Sequence, residues 1–238
     1  NLTNKSQNSS VAQVQREIAE ISIILNTCDY IKETVSSVTD LLVSLLESSY
    51  HSRVNFNQVD STAMKVITNC VSGLKNYFVA TYPGFSEFSS KKAEFSERMR
   101  LLAEDLKSVV GSVYLGKVLS GVCKEIITDW QEGLLTAGKK YKEGDYERII
   151  TEFTEIKDIL LVLGRDDGGE NVSKLYVNLV TKSCEKTLIL VKMLGMNNAQ
   201  LQENLASFKS QISGAELEKV LLIKGMKKAD IQKTLSLV

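Results

Sequence analysis

From Ile18 the apolar residues recur as Ile18, Ile21, Leu25, Cys28, Ile31, Val35, Val38, Leu42 and Leu45, three or four positions apart each time. That spacing places them on one face of an α-helix. At 1.5 Å per residue the stripe extends about 40 Å, far beyond the 11 to 12 residues of an average helix, so it calls for a partner of similar length. The polar stretch ESSYHSRVNFN ends it. A second helix is predicted from about Gln58 to Ala80, through Met64, Ile67, Val71, Leu74 and Phe78, and TYPGF, with Pro83 before Gly84, makes the turn that follows. The third pattern keeps helical spacing from about Glu87 to Leu135, through Phe95, Met99, Leu102, Leu106, Val110, Val113, Val118, Val122, Ile126 and Trp130. It reads as one long helix. Long helices joined by short polar breaks favour an antiparallel bundle.

Beyond GKKYKEGD the elements shorten. A helix from about Tyr146 to Leu163 has Asp145 placed to cap its first turn, and GRDDGGEN closes it. The next runs from about Val172 to Leu194 and stops at Gly195. Asn197 with Gln200, and Ser213 with Glu216, have the spacing of capping boxes. They predict helices over 199–211 and 215–224, with a last one from Lys227 to the end. The change from long to short helices sets an expected division into residues 1–140, a long-helix bundle, and 141–238, a shorter-helix bundle.

Composition supports helices and narrows the class. Proline, which breaks helices by removing a donor and clashing with the preceding turn, occurs once in 238 residues. Hydrophobic residues make up 43% and charged residues 24%, as in an ordinary globular chain. This length buries roughly 70% of the unfolded surface, so stability needs no staple. Cys28, Cys70, Cys123 and Cys184 form no CxxC pair and sit within apolar helical patterns, which reads as reduced core thiols in a cytosolic protein rather than zinc ligands or disulfides. Sequons at Asn1, Asn4, Asn8 and Asn171 argue only weakly for secretion. No run of 18 apolar residues exists, and NLTNKSQNSS has no basic n-region or apolar h-region. The missing initiator methionine, and an end inside an amphipathic pattern, read as a fragment.

Charge is balanced overall, with 29 basic and 29 acidic residues, but not locally. Residues 172–238 hold ten lysines and five acids, net +5, which leaves net −5 for the remainder. Lys182 and Lys186, four apart, share one helix face, and Lys224, Lys227 and Lys228 form a second basic corner. Lysines on the wet face of a helix are the default; as a site they would meet acidic protein or lipid. Nucleic acid does not fit a neutral chain without interleaved aromatics.

Enzyme signatures are wanting. Gly111, Gly116 and Lys117 mimic a phosphate loop, but Val118 stands where a Ser or Thr must hold magnesium, and no strand precedes it. The reading preferred is that Gly111, Gly116 and Gly121 let another helix approach. His51 is the sole histidine, in a polar loop, and Trp130 occupies a core position. The DDGG sequence lacks the alternating oxygen ligands of a calcium loop. No cofactor is implied.

Three stretches, ILNTCDY (Ile24 to Tyr30), YVNLVTK (Tyr176 to Lys182) and IKGMKKAD (Ile223 to Asp230), resemble in order and spacing the C-terminal region of the vacuolar protein sorting-associated protein 53 family, subunits of the Golgi-associated retrograde protein complex. The resemblance frames residues 18–235. It implies an elongated rod of two stacked helical bundles, without catalysis, that tethers endosome-derived vesicles at the trans-Golgi network. Implied partners are the sibling subunits, chiefly through a preceding N-terminal part, with SNARE proteins or small GTPases besides, and peripheral contact with trans-Golgi and endosomal membranes. Tyr176, Lys182, Lys224, Lys227 and Lys228 carry over as surface positions, and Lys186 joins them by its place on the same face. Gly225 reads separately as a helix C-cap. GRDDGGEN departs from the family, whose animal members carry a proline-containing turn there. The alternatives are a peripheral lipid-binding module using Lys174, Lys182 and Lys186, or a helical scaffold subunit of the exocyst or oligomeric Golgi type.

Overall fold

With one proline in 238 residues the backbone is free to run as helix over long stretches, and a computed structural model of the chain is all-α. The structure describes residues 2–137, 141, 144–165, 174–228 and 231–232, with backbone alone at 2–12, 137 and 209. In order these form α1 (Leu2–Leu45), a 3-10 turn (Ser48–Arg53), α2 (Asn57–Thr81), α3 (Phe88–Val109), α4 (Ser112–Ala137), α5 (Asp145–Leu163), α6 (Lys174–Gly195), α7 (Asn198–Glu203), α8 (Leu205–Lys209) and α9 (Gly214–Ile223). Most of GKKYKEGD, GRDDGGEN beyond Arg165, Asn1, Asn171 and most of the expected terminal helix lie outside the described residues.

Several boundaries differ from expectation, each for a local reason. The first helix begins at Leu2, well before its apolar stripe, since no glycine or proline interrupts residues 1–17. The pattern from Glu87 to Leu135 is two helices. The Gly111 carbonyl accepts from the amides of both Tyr114 and Leu115, each at 3.0 Å, so Gly111 acts as N-cap and a new ladder starts. Apolar spacing conceals this break because Leu106, Val110, Tyr114 and Leu115 on either side of it are all buried. Residues 199–211 are likewise two short helices. Asn204 interrupts them by sending its side-chain amide and its backbone N–H to the Gln200 carbonyl, at 2.8 and 3.2 Å. Asp145 is not a cap: Gly144 holds the N-cap position, without a side-chain bond, and Asp145 is the first helical residue. There its charge still favours the helix N-terminus.

Contacts divide the chain into two interleaved units, Asn1–Thr81 with Arg98–Val122, and Tyr82–Glu97 with Cys123–Val238. The change in helix length near residue 140 falls inside the second. In the first unit α1 and α2 run antiparallel, as Glu17 meets Tyr77 and Ile21 meets Gly73. The buried row of α2 is Ala63, Ile67, Cys70, Leu74 and Phe78. Polar ties fix α1 laterally. Asn26 donates to the Val109 carbonyl at the end of α3 at 2.7 Å, Gln15 donates to Asp105 at 3.1 Å, and the Tyr114 hydroxyl donates to Asp29.

The second unit is built around Trp130, which is fully buried as its spacing predicts. Phe85 meets its ring edge-on at 4.8 Å and Phe153 lies tilted to it at 5.0 Å, and such aromatic pairs contribute about 0.5–1.5 kcal/mol beyond area burial. The turn carrying Phe85 is pinned where its amide donates to Asp129 at 3.0 Å, and Gly84 supplies the left-handed φ of 81°. Gln131 donates to the buried Thr187 at 2.7 Å, joining α4 to α6.

Candidate functional site

The two capping boxes expected from sequence are both formed, and one of them organises the basic residues. At the start of α9, Ser213 accepts from the Glu216 amide while the Glu216 carboxylate accepts from the Ser213 amide at 3.0 Å. The same carboxylate receives Lys186 of α6 at 2.9 Å. Burial opposes the charge on Glu216, but the bonds from Ser213 and Lys186 outweigh it and hold the carboxyl below its ordinary value. Lys186 is therefore a tie between α6 and α9.

Lys224 does similar work at the other end of α9. Gly225, at φ 86°, ends the helix in a Schellman motif, with the Met226 amide on the Leu221 carbonyl at 3.1 Å. This turn places Lys224 so that its Nζ donates to the Met196 carbonyl at 2.6 Å and lies 6.0 Å from the Tyr146 ring centre. Glu216 and Lys224 are eight residues apart on α9, which sets the two ties roughly 12 Å apart along its axis. Lys182, Lys227 and Lys228 are exposed, as is Lys174. The lysines that sequence groups as one surface thus sort into two that hold helices together and three that face solvent.

Tyr176 is a correction. It is 1% exposed, and its hydroxyl donates to the Leu160 carbonyl at 2.6 Å, joining α6 to α5. Burial, with Cys123 and Cys184 nearby, pushes its phenol well up. The signal for this is present in the chain: Tyr176, Val180, Cys184 and Thr187 follow one helical row, and all four are buried.

Other reactive side chains are engaged structurally. Burial pushes the thiols of Cys123 and Cys184 up to about 12, so they stay protonated and poorly nucleophilic. The His51 Nε2 lies 2.8 Å from the Leu46 carbonyl, within the 3-10 turn. Lys117, from the phosphate-loop mimic, lies 5.0 Å from the Tyr114 ring centre. Gly121 does admit α2 closely, since a Cβ there would come within 2.9 Å of the Lys75 side chain, whereas Gly111 has nothing within 4 Å.

A surface that periodicity alone assigns to the core is the outer side of α1. Ile18 and Leu25 are buried, but farther along the same stripe Ile31 and Val38 are exposed, and Leu45 is 73% exposed. Tyr30 at 70% and Leu41 at 57% flank them. Exposed apolar side chains gathered on one face mark an interaction surface more often than scattered ones do. Among the described residues no helix is long and apolar enough to cross a membrane. No protein-family model, no curated protein and no solved structure matches the chain.

Proposed function

We propose that this chain is a non-catalytic docking scaffold, the C-terminal part of a vesicle-tethering subunit acting in retrograde transport from endosomes to the trans-Golgi network. Lys182, Lys227 and Lys228 would meet an acidic vesicle-side or SNARE partner. The observation that carries the reading is the sorting of the lysines. Lys186 and Lys224 fasten α9 to α6 and its end, while the other three remain exposed on a segment of net charge +5. The all-helical fold and the three stretches that resemble tethering subunits support the same reading. So do the His51 hydrogen-bond contact with the Leu46 carbonyl and the burial of the Cys123 and Cys184 thiols. Location on trans-Golgi and endosomal membranes, assembly with sibling subunits and the rod of stacked bundles belong to this proposal.

Charge reversal at Lys182, Lys227 and Lys228 in the parent protein is the test. Because Lys186 and Lys224 are left in place, helicity and co-purification of sibling subunits should persist while cargo retrieval to the Golgi falls. Normal retrieval in that variant would overturn the proposal. Salt-sensitive flotation of the isolated chain with anionic liposomes, lost in the same variant, would instead favour a lipid-binding module.

A further inference from the structure

The exposed side of α1 has a composition that says what fits it. At 3.6 residues per turn, Ile24, Ile31, Val38 and Leu45 recur every seven positions, the repeat that keeps a row facing one partner helix along a left-handed supercoil. All four are exposed. Between positions 21 and 46 this side of the helix bears no charge. Asp29, Lys32, Glu33 and Asp40 all lie on the opposite half of the circumference, and Asp29 is bound by Tyr114. From Ile23 to Leu45 the face extends about 33 Å and covers three heptads, the minimum for a recognisable seam.

We propose that this face binds the same face of a second copy of the chain, with the two α1 helices antiparallel about a twofold axis at Thr34. Three observations favour that occupant. A charged partner would have to strip water from its charges with nothing here to pair them, so an uncharged face matches an uncharged face. The first unit, which carries α1, holds ten basic and nine acidic residues, so two copies meeting through it have little net charge to repel each other. In the antiparallel register the centre pairs larger with smaller side chains, Leu41 facing Thr27, Tyr30 facing Val38 and Thr34 meeting its own copy, while Ile23 and Leu45 meet at the two ends. A single helix pair falls below the roughly 1,200 Å² of stable interfaces, so the association is weak. It rests on the first unit and does not depend on the lysine reading.

Sedimentation equilibrium of the full chain should show a monomer–dimer equilibrium. Val38→Glu combined with Leu41→Glu should raise the dissociation constant about tenfold or more, with far-UV circular dichroism unchanged because both side chains are exposed. In a Cys28→Ser background, Thr34→Cys should yield a covalent dimer on mild oxidation with diamide, whereas Ser36→Cys, on the other half of the helix, should not. A chain that stays monomeric throughout, a dimer that survives the double substitution, or equal cross-linking at 34 and 36 would each overturn the proposal.

Discussion

Tyr176 is fixed at both ends. Its hydroxyl donates to the Leu160 carbonyl at 2.6 Å, and its ring fills the space a side chain on Gly164 would need, since a Cβ there would run into the ring. Removing the hydroxyl and crowding the ring are therefore different perturbations of one contact. Tyr176→Phe should cost about 1 kcal/mol, the net worth of one hydrogen bond. Gly164→Ala should cost more, about 1–3 kcal/mol, because the ring is buried and held and has nowhere to shift. Chemical denaturation of the two variants checks the order, and a Gly164→Ala variant as stable as the parent would show that the ring is free to move. The same packing explains why Tyr176 makes a poor docking residue: nothing outside the fold reaches it.

At the scale of elements, what is legible in the chain follows from how far each determinant reaches. A capping box needs two residues three apart, so Asn197 with Gln200 and Ser213 with Glu216 can be read from the chain alone, as can Gly225 as a C-cap. The break at Gly111 cannot, because the apolar period runs through it unchanged. The exposed row of α1 passes for core for a related reason: periodicity shows that a face is apolar, and burial depends on whether another helix arrives to cover it. Lys186 and Lys224 look like their exposed neighbours because Glu216 and the Met196 carbonyl are 30 and 28 residues away in sequence. Two glycines separate local from long-range determinants experimentally. Gly225→Ala forces a left-handed φ of 86° on a residue with a side chain and should cost about 1–2 kcal/mol. Gly111→Ser, at an N-cap with open space and no left-handed backbone, should be neutral or stabilise by a few tenths of a kcal/mol. Thermal melts of the pair should move in those directions, and equal losses would contradict the assignment of Gly111 as a cap.

Across the whole molecule, protonation is the property that both units share, and its sign differs at the two ends of the pH scale. The Tyr77 phenol, hydrogen-bonded to Glu17, and the Tyr114 phenol, buried and bonded to Asp29, are raised to about 12 in the first unit. In the second, burial raises Cys123 and Cys184 to about 12 from an ordinary thiol value of 9.0. The unfolded chain releases these protons first, so their contribution is complete below pH 9 and is lost as pH rises toward about 12. The acid side works in the opposite sense. Hydrogen bonds hold Glu17, Glu87 and Glu216 below 4.5, so their contribution is present above that value and is lost beneath it. Solvent screens Glu87 and its partner Lys91, both more than half exposed, which keeps the acid limb shallow. The urea midpoint should therefore fall more steeply between pH 9 and 12 than it does on acidification through 4.5. Cys184→Ala removes one of the raised thiols; whatever it costs at neutral pH, it should flatten the alkaline limb and leave the acid limb as it was. An unchanged alkaline slope in that variant would mean that the thiols keep no protons beyond those of the unfolded chain, and that the alkaline limb belongs to the tyrosines alone.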